Sequence, residues 1–464
     1  MGKFKGSLLL ALIALLCACK GSSSSSAPSF NLEPLQPFTG VSDWTASGGG
    51  PSHSGYVPVT LDASRFSARW SVNLPPGNTT PCGVDFGFSC AELSSAVTDS
   101  ADGHVVLTVD TVVQTANVDA DDLALYSLNE MDGSVAWSTS GFPFDDDNED
   151  SHVNNFSVPS VADGKVYMSF FVDIQQPLLT PPQLPVLDAF DAKTGARVFS
   201  VNPPCAATPC NNFAYSVTQP VISGSTLFTG GSLSAFDAGD GTLLWTSGGG
   251  AAPAVDLQAA YASGEVASTS ISAFTALDRA SGVPLFQITP SAAEVAAYRG
   301  GGAASPVLDS AGGAIVQRGR VMDRYQLATH VLDWEVVGAF DGLPVAGNSM
   351  VFVCDGTGVS GYDITQGTLL FSWTPPASDV SLRPVQGTFT NCSMVVTNDI
   401  LFVSSAKATY AVDIDSKQLQ WSYGEGGSIS ISPSGLLYIS VNAPEDPTTG
   451  TTTKLPHLVA INLH

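Results

Sequence analysis

The sequence predicts an all-β ring of eight four-stranded antiparallel blades, a β-propeller, and three observations predict it. An eleven-residue pattern recurs along the chain, the composition favours turns over helices, and each terminus carries half of one further copy. Gly at 45 and Pro at 30 of 464 residues exceed the usual ~7% and ~5%. Only 13% of residues are charged while 44% are hydrophobic, too apolar for a disordered chain. The net charge of −25 repels nucleic acid and anionic lipid headgroups, which excludes polyanion binding.

The pattern reads small-x-Asp/Asn, three residues, Gly, three residues, aromatic. Its copies are SLNEMDGSVAW (127–137), AFDAKTGARVF (189–199), AFDAGDGTLLW (235–245), ALDRASGVPLF (276–286), GYDITQGTLLF (361–371) and AVDIDSKQLQW (411–421). A degenerate copy, Arg324 to Trp334, keeps only the closing aromatic. The alternating first half suits a half-buried strand. The Asp and the following Gly supply a tight turn with a positive-φ position, and a second strand ends in the large aromatic. A second hairpin precedes most copies, as in Pro159-Ser160-Val161 with Lys165-Val166-Tyr167. Two hairpins make a blade, and seven aromatics, Trp137, Phe199, Trp245, Phe286, Trp334, Phe371 and Trp421, count seven blades.

The ends supply the eighth. Leu458 to Asn462 is the first half of the pattern with no second half, and Phe66 to Val72, carrying Trp70, is the missing outer strand. The N-terminal strand is therefore expected to close the last blade and leave no free lateral edge. All eight aromatics read as blade-to-blade packing rather than as a sugar or cofactor site.

Ahead of the ring, Lys3, Lys5 and the apolar run Leu8 to Leu16 read as a signal peptide over residues 1–18, too short to span a bilayer. Leu16-Cys17-Ala18-Cys19 resembles a bacterial lipobox. That resemblance implies cleavage before Cys19 and its acylation, with residues 19–37 as a Gly/Ser tether to a propeller over 38–464. Lys20 favours the outer membrane. Six cysteines remain, an even count that reads as disulfides in an exported chain. Spacing suggests Cys82 with Cys90 and Cys205 with Cys210 as short staples, leaving Cys354 for Cys392.

The A–B and C–D turns are minimal and share one face. The long connections, residues 73–94, 141–155, 201–216 and 287–303 between blades and 110–122, 173–186 and 442–456 within them, share the other. That long-loop face is the expected functional one. It holds Asp145, Asp146, Asp147, Glu149 and Asp150, candidate ligands for a structural calcium ion, with Asp119, Asp121 and Asp122 in a second loop. An acidic run is more often simply solvated. Phe142, Phe144, Phe156, Phe213 and Tyr215 are candidate contacts there, or covers for the blade tops. The six histidines are scattered and form no catalytic or metal constellation.

The repeat, and the opening WTASGGGPSHSGY (44–56), are similar to the pyrroloquinoline-quinone-type propellers over residues 40 to the end. The resemblance implies the fold and raises a quinoprotein dehydrogenase as one function. Such enzymes hold quinone on a vicinal Cys-Cys disulfide beside calcium. This chain has no adjacent cysteine pair after residue 19 and no CxxCH haem segment, so the quinone is not expected. The chain also resembles, in anchor and blade number, the propeller lipoproteins of the outer-membrane barrel-assembly machinery. The reading is a non-catalytic, monomeric envelope scaffold, held at the membrane by its lipid alone and binding an envelope protein or glycan.

Overall fold

The computed structural model describes residues 32–75, 91–115, 118–139, 151–174, 183–204, 218–250, 252–263, 273–290, 295, 305–355, 357–376, 392–442 and 455–464. Eight antiparallel sheets follow one another, each from an inner strand A to an outer strand D. Blade 1 spans residues 91–139, blade 2 residues 151–201, blade 3 residues 221–250 and blade 4 residues 254–288. Blades 5, 6 and 7 span 307–337, 341–373 and 393–423. Blade 8 is built from Ser428–Ser432, Leu436–Val441 and His457–Asn462, with the N-terminal Ser67–Asn73 as its outer strand. Ser67 pairs with Asn462 and Trp70 with Ala460, so the two ends of the chain complete one sheet as expected.

The reason for the repeat is visible in the register. Each small residue lies directly across strands C and D from its aromatic: Ser127 from Trp137, Ala189 from Phe199, Ala235 from Trp245, Ala276 from Phe286, Gly361 from Phe371 and Ala411 from Trp421. A small side chain there leaves room for the ring at cross-strand distance. Each aromatic then reaches the next blade. A Cβ on Gly195 would lie 2.6 Å from Trp137, and the Trp137 indole donates to Ala192 O at 2.8 Å. Trp245 and Trp334 repeat this against the carbonyls of Arg279 and Ile364, both at 3.1 Å. In the degenerate copy Arg324 takes the small position, opposite Trp334. Its buried guanidinium is held by Asp309, Nε to Oδ2 at 2.7 Å, and by Asp333.

The motif Asp and Asn residues cap their turns. Asp191 Oδ1 accepts from Thr194 N at 2.8 Å and from its Oγ1 at 2.7 Å, and Asp363, Asp278 and Asp413 do the same for their own turns. These hydrogen bonds hold the four carboxyls below the usual aspartate range. The core is partitioned into apolar clusters, each shared by two consecutive blades, including one between blades 8 and 1.

Two expected loops are largely strand. Residues 110–122 belong to a long hairpin, His104–Thr115 with Val118–Asn129, and Asp119, Asp121 and Asp122 pair in register with Gln114, Val112 and Thr111. The run Thr-Val-Val-Gln-Thr is β-branched and favours extension past the blade. Likewise strand B of blade 2 continues to Ile174 and strand C begins at Gln183, and Ser151–Phe156 is a piece of strand A. Among the described residues no helix is long and apolar enough to cross a membrane.

Candidate functional site

In every blade, strand A has one edge paired to strand B and one edge facing the axis. Unpaired inner N–H groups need acceptors when water is excluded. Residues 38–61 supply them. This strap starts at blade 8, where Phe38 N donates to Pro433 O at 2.7 Å. Its carbonyls then accept from successive inner strands: Trp44 O from Thr98 N, Thr45 O from Val161 N, Pro51 O from Val255 N, Ser52 O from Leu308 N, Ser54 O from Ala346 N and Gly55 O from Val396 N, all at 2.7–3.0 Å. Ser47 N bonds Gln219 Oε1 at 2.8 Å and so serves blade 3. Leu61 N reaches Asp399 before the chain turns outward to close blade 8. The strap thus makes one full circuit of the axis at the A–B turn end.

Tight curvature explains its composition. Gly55 has φ +63° and a Cβ there would lie 2.5 Å from Val345, so only glycine fits. His53 is also left-handed, at φ 55°, and is 3% exposed. Burial pushes its imidazole down to about 4, against the hydrogen bond that it donates to the Pro253 carbonyl, so the ring is neutral at pH 7.

The strap does not fill the short-turn face. It leaves a hollow of ≈ 460 Å³ between itself and the A–B turns of blades 2 and 3. Asp43, Asp163 and Tyr56 are among its lining residues, and among the described residues no Lys, Arg or His lines it. Asp43 is fixed by Ser100 N at 2.8 Å, Ser100 Oγ at 2.9 Å and Thr98 Oγ1 at 3.1 Å. The Tyr56 hydroxyl donates to Asn398 Oδ1 at 2.5 Å and accepts from Asn348 Nδ2 at 2.6 Å.

The opposite, long-loop face is described only at its edges. Cys354, at the end of Met350–Cys354, and Cys392, just before strand A of blade 7, form the expected interblade disulfide. Nearby, His457 Nε2 meets Glu425 Oε2 at 3.0 Å while His457 Nδ1 faces Leu455 O at 2.9 Å. Cys82, Cys90, Cys205 and Cys210 lie outside the described residues, as do Cys19 and the signal peptide, Asp145, Asp146, Asp147, Glu149 and Asp150. Phe142, Phe144, Phe213 and Tyr215 lie outside them too. Phe156 packs against the core shared by blades 1 and 2, a cover rather than a free contact. Among the described residues no three metal-ligating side chains converge.

Sequence reasoning noticed residues 44–56 but not their path, and it missed the hollow. The usable signal was a Gly- and Ser-rich stretch with Trp44, Val57 and Val59 embedded in it, apolar anchors that a simple linker lacks.

Residues 185–446, more than half of the chain, match the PQQ_2 family model, described as outer membrane protein assembly factor BamB. Among solved structures, BamB from Moraxella catarrhalis aligns at TM-score 0.50 and 13% identity, over 86% of this chain and 97% of that one. Quinohemoprotein alcohol dehydrogenase from Comamonas testosteroni aligns at TM-score 0.54 and 12% identity, over 90% and 80%. At these identities the likeness is one of fold. No curated protein matches the chain.

Proposed function

This chain belongs to the PQQ_2 family described as outer membrane protein assembly factor BamB, and from that premise we propose that it is a non-catalytic scaffold of the bacterial envelope. In this reading Cys19 carries the lipid, the outer membrane is the address, and the ring presents binding surfaces to an envelope protein. The family match carries the proposal. A ring closed by its own N-terminal strand and laced by the strap along its inner strands suits a platform whose surfaces vary while its frame does not.

The quinoprotein reading has the fold in its favour and the cysteines against it. The two cysteines described on the long-loop face are 38 residues apart and join blades 6 and 7. They do not form the adjacent pair on which a quinone would rest, so the donors described do not fit that cofactor, and no step is derived through it.

The test is deletion of the gene followed by quantitation of outer-membrane β-barrel proteins. A several-fold fall, restored by the wild-type chain but not by Cys19→Ala, is the expected result. Unchanged barrel levels, together with saturable binding of pyrroloquinoline quinone plus calcium to the purified chain by calorimetry, would overturn it.

A further inference from the structure

We propose that the hollow inside the strap is a receptor for the cationic side chain of a partner polypeptide, a lysine or arginine on an extended segment. The inference rests on the scaffold reading only in taking a polypeptide as the occupant.

The chemistry of the walls carries it. Val57, Pro58 and Ile222 offer an apolar lining, and Asp43 and Asp163 flank it with carboxylates. A side chain with an aliphatic stem and a charged head satisfies both kinds of wall at once. Asp43 is immobilised by its three hydrogen bonds to Ser100 and Thr98, so it presents a fixed charge that needs no ordering on binding. Asp163 is exposed at the tip of its turn and makes no hydrogen bond or ion pair among the described residues. Arg279, which lies against Gly224, does not line the hollow, and its guanidinium is engaged by the Ser223 carbonyl at 2.5 Å.

Competing occupants fit less well. An anion would meet two carboxylates and no base. A sugar ring would need an open aromatic face, but Trp44 is 3% exposed. The Tyr56 hydroxyl is already tied to Asn398 and Asn348. The net charge of −25 draws basic segments from a distance, while the hollow gives them a place to dock.

The experiment uses the full-length protein in detergent and a fluorescent Ala-Lys-Ala-Lys-Ala peptide, with Ala-Glu-Ala-Glu-Ala and a neutral trisaccharide as alternatives. Saturable binding of the lysine peptide alone is expected. Asp163→Asn should weaken it about tenfold, the scale of one charge-assisted hydrogen bond. Ser54→Trp, which fills the hollow, should abolish it. Asp240→Asn removes an equal charge from an exposed turn outside the hollow and should change affinity less than twofold. Thermal melts of each variant separate lost binding from lost folding. Equal weakening by Asp163→Asn and Asp240→Asn would reduce the effect to diffuse charge and overturn the proposal, as would preference for the trisaccharide or no binding at all. None of these failures touches the barrel-protein assay on which the scaffold reading stands.

Discussion

The seam that joins blade 8 to blade 1 differs from the seams inside the chain, although both use the same tryptophan device. Trp70 packs on Gly133 and its indole donates to Glu130 O at 2.9 Å, just as Trp137 packs on Gly195 and donates to Ala192 O. At the internal seams where an indole donates in this way, the carbonyl belongs to Ala192, Arg279 or Ile364, and Ala192 and Ile364 are buried and apolar. At the closing seam it is Glu130, fully buried, whose carboxylate accepts from Ser432, from Ser434 at 2.5 Å and from Tyr438 at 3.0 Å. Arg69 adds bonds to Met131 O at 2.9 Å, Glu33 O at 2.8 Å and Asn462 Oδ1 at 3.2 Å. Internal seams join neighbours in sequence, whereas the closing seam must find partners more than 300 residues away. Loop closure over that distance is entropically costly, and an apolar strand can pair in a slipped register. A buried, directional polar network accepts only one register.

The largest test removes the shared device at the closing seam. Trp70→Ala should cost about 3–5 kcal/mol in denaturant melts, since Trp70 is 2% exposed. Trp421→Ala, at a partly exposed site where Phe66 packs edge-on at 5.6 Å, should cost at most about half as much. Equal losses would mean that the closing seam has no special standing.

Next comes the covalent seam between blades 6 and 7. Cys354→Ser paired with Cys392→Ser should cost about 2–4 kcal/mol, and reducing agent should lower the wild-type Tm but not that of the double variant.

A smaller effect probes an internal seam at its turn. Gly195→Ala should cost about 2–3 kcal/mol, because it combines positive φ with a 2.6 Å approach to Trp137. Gly103→Ala, with positive φ but open space around it, should cost only about 1 kcal/mol. Identical values would remove the tryptophan contact from the explanation.

The subtlest difference is in pH. Burial raises the Glu130 carboxyl above 4.5, against its hydrogen bonds from Ser432, Ser434 and Tyr438. The folded state therefore binds this proton more tightly than the unfolded chain. Its stability contribution grows as pH falls from the raised value towards 4.5 and is lost as pH rises through the raised value. Asp191, Asp278, Asp363 and Asp413 are held below 3.8, so their contribution is present above 3.8 and is lost as pH falls through the lowered values. Melts from pH 2 to 8 should show Glu130→Gln losing the gain on mild acidification while keeping the acid loss below 3.8. Parallel curves for variant and wild type would remove Glu130 as the source.

Much of the architecture was written locally. The small residue, the capping Asp, the turn glycine and the aromatic all fall within eleven residues, and strand pairing across a tight turn needs no knowledge of the rest of the chain. Blade number, closure by Phe66 to Val72 and the Cys354–Cys392 bond followed from counting those units and their leftovers. The degenerate fifth copy was legible only through Trp334, because Arg324 needs Asp309, fifteen residues upstream, before its charge can be buried. The Glu in SLNEMDG, where other copies carry Ala, Ile or Arg, was visible in the sequence, but Ser432, Ser434 and Tyr438 were not assignable to it. The strap's circuit and the hollow it leaves depend on inner strand edges from eight blades meeting around one axis. Sequence determined the unit and how many there are. Only the closed ring decided what its centre holds, because the strap's hydrogen-bond partners come from every blade and become neighbours only when the last blade meets the first.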